Sequence, residues 1–351
     1  MKTNHIHGLD ILRLLSALAV VFYHYTFRGV AAGEMQAIHV PAFMVEITKY
    51  GHLGVSVFFI ISGYVIAYSA EGQGPYKFFV SRFSRLYPTF LIMMTLSTLV
   101  LVASGSALFD VTPRQYIANL FVFSKLAGEK FVDGAYWSIV LEIIFYGWVF
   151  LLISLNKFDK LVQIIPFWLV LSLVNETLIQ NEHLQNLFIT EYSGFFAVGI
   201  LINRLRSQFS YTAVALLVLS AVYGIFTAIK GADWSEVAYS TTYSRTVIAA
   251  IIIVSIGVFI AALNVKVNAR YWGLASLLGG ATYPIYLFHQ NVGYLIVPKI
   301  AGFMPGMAAI LVATAGMLLF ALAFHVVVER KLNSAVRKSL MSLGLRTGLQ
   351  T

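Results

Sequence analysis

Apolar residues fall in runs of membrane length along this chain. They recur at about 9–27, 52–70, 86–104, 136–155, 161–174, 187–203, 210–229, 246–263, 276–297 and 305–328, with short polar stretches between. A helix needs about 20 apolar residues to cross a bilayer. The pattern therefore predicts an all-α polytopic membrane protein, a bundle of about ten transmembrane helices. The run at 161–174 is short for a span and reads as re-entrant or tilted.

The first run differs from the others. LDILRLLSALAVVFYHYTF, Leu9 to Phe27, holds Asp10, Arg13 and His24 among its apolar residues. The helical steps from Arg13 to His24 turn through roughly 1,100° and climb roughly 16 Å, which leaves both side chains on one face. Asp10, three residues before Arg13, joins that stripe and can pair with the arginine. Ionisable groups at membrane depth are costly unless they are paired or face an interior cavity. The trio is thus either an interhelical ion pair with a bonded histidine or a functional site.

Composition narrows the class. Hydrophobic residues make up 59% of the chain and charged residues 11%, against about 25% charged in soluble domains. A chain of 351 residues has no room for a large soluble domain beside ten spans. The simplest division is one transmembrane domain, 1–330, and a basic cytoplasmic tail, 331–351. There is no cysteine, which excludes disulfides, thiolate nucleophiles and thiolate metal sites.

The net charge of +9 reads as topology, with no nucleic-acid partner implied. With the N-terminus cytoplasmic, fifteen basic residues fall on inner segments and eight on outer ones, while ten of the fifteen acids lie outside. That asymmetry satisfies the positive-inside rule and predicts that both termini are cytoplasmic. Lys2 precedes the first run, but Arg13 interrupts a would-be signal core and no A-x-A site follows, so the run reads as a retained span.

Several motifs sit on this scaffold. The second run continues GVSVFFIISGY, where Ser62 and Gly63 either let a neighbouring helix approach or leave donors facing a cavity. RFSRLYP, 82–88, reads as an inner loop before Pro88 opens the third span. Its Arg82 and Arg85 form either a phosphate clamp or a positive-inside anchor for lipid headgroups. After the long outer loop 105–135 comes YWSIVLEIIFYGW, with Trp137 at its head and Glu142 about one turn inside. A carboxylate at that depth needs a proton or a cation. His24, also toward the outer half, is the expected partner, and Glu142 would orient its ring as a general base requires. In ATYPIYLFHQ, 281–290, Pro284 should kink the helix that holds Tyr286 and His289. His289 and His325 read as bonded structural histidines or as further site residues.

No His/Asp/Glu group has metal-ligand spacing, so no metal is expected, and no phosphate-binding glycine loop occurs. Two classes are left. One is a membrane enzyme using His24 as base or acyl acceptor. The other is a transporter or flippase whose buried Asp10, Arg13, Glu142 and His24 line a substrate or proton path.

The motifs also resemble a known family. GLDILRLLSALAVVFYHY, with Arg13 and His24 separated by ten residues, is similar to the opening of integral membrane acyltransferase family 3. The resemblance continues in order through GVSVFFIISGY, the RFSR pair, YWSIVLEIIFY and TYPIYLFH. It implies a ten-helix enzyme of the bacterial inner membrane that moves an acyl group onto a hydroxyl of a sugar or lipid-linked glycan. The donor would be acyl-CoA, commonly acetyl-CoA, with no permanently bound cofactor. By that analogy Arg13 and His24 are the essential pair, with Asp10 and Glu142 in support. By the same analogy Arg82 and Arg85 hold the donor's phosphates. From their places on these motifs, Ser62 and Gly63 are read as further donor-binding positions, and Trp137, Tyr286 and His289 as substrate-binding ones. Some relatives carry a C-terminal periplasmic hydrolase-like domain that this sequence lacks, which leaves room for a separate periplasmic partner.

Overall fold

A computed structural model describes residues 5–347; residues 1–4 and 348–351, with Lys2 and the end of the basic tail, lie outside it. Among the described residues there are helices, turns and loops and no strand. In lipid, backbone N–H and C=O groups find partners only within the segment itself, which makes a helix the outcome for each long apolar run.

In chain order the main helices are α1 (His7–Ala31), α2 (Ala42–Ala70), α3 (Pro75–Ser104), α4 (Gly134–Ser154), α5 (Phe158–Ile179), α6 (Ser193–Ser207), α7 (Tyr211–Tyr239), α8 (Arg245–Asn264), α9 (Trp272–Phe288), α10 (Gln290–Ala301) and α11 (Gly306–Arg346). Eight of them, all but α6, α9 and α10, are long and apolar enough to cross a membrane. The protein is a polytopic all-α membrane protein.

The differences from the sequence pattern have local causes. The short run at 161–174 becomes the 22-residue α5, because the helix continues through Asn175 and Glu176 in a π turn where the apolar pattern had stopped. The run at 187–203 yields only the 15 residues of α6. The run at 276–297 is broken at His289 into α9 and α10, 17 and 12 residues long. Pro88 does not open a span. Pro75 supplies the helix-starting proline of α3 and Pro88 lies inside it, so Arg82 and Arg85 sit on a helix rather than in a loop. The basic tail continues α11 as helix through Arg346.

Among the described residues three helices contain a π turn, and each turn starts at a polar residue: His24 in α1, Asn175 in α5 and His325 in α11. Such insertions often mark functional positions, because the extra residue redirects the side chains that follow.

The chain divides into two compact units, each built from separated stretches. One takes the residues up to Gly54, Phe83–Val140 and Lys266–Leu340; the other takes Val55–Arg82, Leu141–Val265 and the chain from Met341. In the first unit α1 packs on α9, which packs on α11 in turn. Ala17, Val21 and Tyr25 of α1 are fully buried. Gly279 lets α9 come close: a Cβ there would stand 2.5 Å from the Asp10 Cβ. In the second unit α6 packs on α7, and Phe196, Ala197 and Val198 are fully buried. Gly63 of α2 faces the backbone carbonyl of Phe196, where a Cβ would collide with it.

Candidate active site

The first unit holds a buried cluster of imidazoles and phenols around the π turn of α1. His24 is 8% exposed, and its Nδ1 shares a 2.6 Å hydrogen bond with the Tyr294 hydroxyl. Arg28, one turn on, donates from Nη1 to the same hydroxyl at 3.3 Å and pairs with Glu34. A phenol oxygen that accepts from Arg28 has its own proton to give to His24 Nδ1. On that arrangement His24 carries its ring proton on Nε2.

His289 lies edge-on to His24, with ring centroids 5.0 Å apart. It is fully buried at the break between α9 and α10. Its Nδ1 lies 2.8 Å from the Tyr286 carbonyl oxygen, which can only accept, so Nδ1 holds the proton. The Nε2 lone pair is then the open position, and this atom is buried with no hydrogen-bond partner. Buried polar atoms are rarely left so, and those that are mark a ligand position or a strained one.

The surrounding bonds hold the pair in place. Tyr25 donates its hydroxyl proton to the His289 carbonyl at 2.7 Å, and Tyr136 donates to Leu287 at 3.2 Å. Tyr286 meets Ser138 at 2.7 Å, one residue past Trp137 in the first turn of α4; Trp137 itself is half-buried. Asp133, fully buried just ahead of α4, accepts from the backbone N–H groups of Asn291 and Ala135, both at 2.9 Å. Burial pushes its carboxyl up to about 7, those two N–H bonds opposing the rise.

Near the start of α1, Asp10 and Arg13 come together as their spacing predicts, at 3.6 Å. Asp10 is 4% exposed, whereas Arg13 is half-buried.

The second unit gathers Ser62, Glu142 and Arg82. The Glu142 carboxylate accepts from the Ser62 hydroxyl at 3.0 Å and from the Tyr146 hydroxyl. Arg82 is 9% exposed; its guanidinium donates to Ser69 at 3.1 Å and lies over the rings of Phe78 and Tyr146, 5.7 and 6.0 Å from their centroids. Arg85, on the same helix, is exposed.

A family model described as an acyltransferase domain matches residues 6–326, almost the whole chain. The chain belongs to acyltransferase family 3. Among curated proteins this acyltransferase is 25% identical to the "Putative peptidoglycan O-acetyltransferase YrhL" of Bacillus subtilis (strain 168), over 68% of this chain and 32% of that protein. It is 26% identical to "Acyltransferase MdmB" of Streptomyces mycarofaciens, over 40% of this chain and 37% of that one. It is 23% identical to "Nodulation protein 10" of Rhizobium leguminosarum bv. viciae, over 41% and 43% respectively. The matched region thus spans between about a third and less than half of those relatives. No solved structure matches it.

Membership in an acyltransferase family supports the membrane-enzyme class over the transporter reading. The orienting partner expected for His24 was Glu142, but the group bonded to its ring is Tyr294; Glu142 takes its bonds from Ser62 and Tyr146. Gly63 lies against the Phe196 backbone carbonyl, so it serves helix packing, the first of the two uses its size allowed. Arg82 and Arg85 differ in burial, so they do not present one uniform charged face. Sequence reasoning missed Tyr294, Arg28, Asp133 and Tyr146. Arg28, four residues from His24, and Tyr146, four from Glu142, each had a local helical signal that could have exposed them; Tyr294 and Asp133 had none.

Proposed function

We propose that the protein transfers an acyl group, acetyl in the first instance, from acyl-CoA to a hydroxyl of a sugar or glycolipid, in a bacterial inner membrane with both chain ends in the cytoplasm. One observation carries the chemistry: two buried imidazoles 5.0 Å apart, one with its Nε2 lone pair uncommitted and the other bonded through Nδ1 to a tyrosine.

In this mechanism the acceptor hydroxyl gives its proton to His289 Nε2 as its oxygen attacks the thioester carbonyl. His24 Nε2–H donates to the carbonyl oxygen as negative charge develops there, and Tyr294 keeps the ring in the tautomer that makes this donation available. The C–S bond then breaks, and the CoA thiolate takes the proton back from His289. Acyl ester and free thiol leave, and both histidines return to their starting state.

The donor's phosphates dock at the inner face on Arg82 and Arg85, with Ser62 and Glu142 steadying the ring of Tyr146 over which Arg82 lies. Arg13, held by Asp10, contacts the donor arm along α1. Trp137 and Tyr286 border the acceptor. Lipid surrounds the spans, and a separate periplasmic protein can present the glycan. The name of the Bacillus subtilis relative supports a cell-surface glycan acceptor.

The test is transfer of labelled acetyl from acetyl-CoA to glycan acceptors by purified protein in liposomes, beside mass spectrometry of surface glycans with and without the protein. Transfer lost in both His24→Ala and His289→Ala is the expected result. Wild-type rates in either variant would remove that histidine from the chemistry.

A further inference from the structure

The N-terminal end of α1 holds a group of side chains of which the acyl-transfer reading uses only Asp10, as the partner of Arg13. His5, His7 and Asp10 bring one ligand-capable atom each to within 4.8 Å of one another. His5 Nε2 lies 2.5 Å from Asp10 Oδ2, and His7 Nδ1 lies 3.8 Å from the same oxygen. Two histidines two residues apart, then an aspartate three further on, have no recognised metal-binding spacing. The fold joins them because His5 precedes the helix and folds back, while His7 and Asp10 share one face of its first turn.

We propose that His5, His7 and Asp10 form a binding site for a divalent transition-metal ion of the zinc class. Imidazole nitrogens with a single carboxylate oxygen are the donor set that zinc, nickel or cobalt accept. Calcium and magnesium prefer all-oxygen shells, so they are excluded as the natural occupants. Ligand atoms around zinc sit about 2.0–2.2 Å from the ion, and therefore about 3.3–3.6 Å from each other in a tetrahedron. The observed separations bracket that value, so small side-chain rotations close the site.

Two of the three ligands are already fixed. The His7 ring stacks on Trp272 at 5.3 Å, with an angle of 18° between the planes, and its Nδ1 is 3.4 Å from the Ser276 hydroxyl. Asp10 is wedged against Gly279. His5 is the exposed member, its side chain 55% exposed. That exposure also supplies an entry path and leaves water to complete the coordination.

The site reaches the acyltransfer machinery through one carboxylate. Asp10 Oδ2 faces the histidines while Oδ1 faces Arg13 at 3.6 Å. A bound ion would therefore share its aspartate with the arginine, and the carboxylate between the two cations offsets their repulsion. Metal occupancy would pin the N-terminal segment to α1 and fix the orientation of Asp10 toward Arg13, as outer partners do for metal ligands in general.

The experiment uses the full chain in detergent, purified on a tag without histidines and stripped with chelator. ZnCl2 is titrated by calorimetry, with CoCl2 as a spectroscopic probe and MgCl2 as the control. The expected result is one zinc per chain, a zinc-dependent rise in thermal midpoint of a few degrees, a cobalt spectrum of nitrogen and oxygen ligation, and no response to magnesium. His5→Ala and His7→Ala should each weaken zinc binding by about 10-fold or more. The metal-free His5→Ala protein should still fold, because this side chain is 55% exposed and Asp10 keeps Arg13 as a partner, so its lost zinc affinity reads as a lost ligand. Zinc binding undiminished in His5→Ala, or no zinc binding in the wild type, would overturn the proposal and leave a hydrogen-bonded His–Asp pair only.

Discussion

Tyr294 reaches across from α10 to bond His24 Nδ1 at 2.6 Å, and so decides which nitrogen of the imidazole carries the proton. The bond joins opposite ends of the chain. Removing the hydroxyl in Tyr294→Phe leaves the ring volume but frees the tautomer. A loss of one such bond is worth about 1–1.5 kcal/mol, so kcat should fall roughly tenfold. The KM for acyl-CoA should stay near the wild-type value, and steady-state kinetics in liposomes will read both.

His289→Ala removes the open Nε2 and should lower kcat by about 10²–10⁴-fold, the range of a positioned acid or base. His289→Gln keeps a polar group at the site but cannot cycle a proton, so it should be no better than alanine. If the glutamine variant restores activity, His289 only binds the acceptor. The same assay with intact-protein mass spectrometry will show whether an acyl group ever resides on His24.

Arg82 and Arg85 should behave differently despite their shared motif. Arg85 is exposed, so Arg85→Ala should raise the apparent KM for acyl-CoA with kcat and folded yield preserved. Arg82 is buried over two aromatic rings, so Arg82→Lys, which keeps the charge but loses the planar stacking group, should still impair donor binding and lower the thermal midpoint. Equal, purely KM effects in the two variants would show that burial does not matter there.

Asp133 gives the fold a pH dependence. Burial holds its carboxyl at about 7 against an ordinary 3.8, so the folded state binds the proton more tightly than the unfolded one. The stabilisation is complete below about pH 4 and is lost as pH rises through about 7, with a full span on the order of 4 kcal/mol. Thermal midpoints in detergent should fall between pH 5 and pH 8, and Asp133→Asn should flatten that slope.

Gly279→Val should destabilise the α1–α9 contact. The added Cβ would stand 2.5 Å from the Asp10 Cβ, so the helices must separate or Asp10 must turn. Overpacking of this kind costs about 1–3 kcal/mol. A lower midpoint is expected, accompanied by lost activity because Arg13 is held by the same aspartate.

The sequence alone was enough for the class. Apolar runs of membrane length leave the backbone no alternative to helix, so the polytopic all-α architecture followed from hydropathy, and the family from motifs in order along the chain. The Asp10–Arg13 pair was legible too, because a spacing of three on a helix is a local fact. Helix ends were less so: α5 runs on through Asn175 and Glu176, which end an apolar pattern without ending the backbone hydrogen bonds.

Tertiary structure decided which groups meet. The bonds of His24 to Tyr294, Asp133 to Asn291 and Glu142 to Ser62 join residues far apart in sequence, and no periodicity encodes such meetings. The choice of Tyr294 over Glu142 as the partner of His24 depends on how α10 packs in its own unit. The open nitrogen of His289 depends on the chain breaking at that residue. The physical reason is range: hydropathy and helical spacing act over a few turns, whereas a site is made by packing that only the complete fold provides.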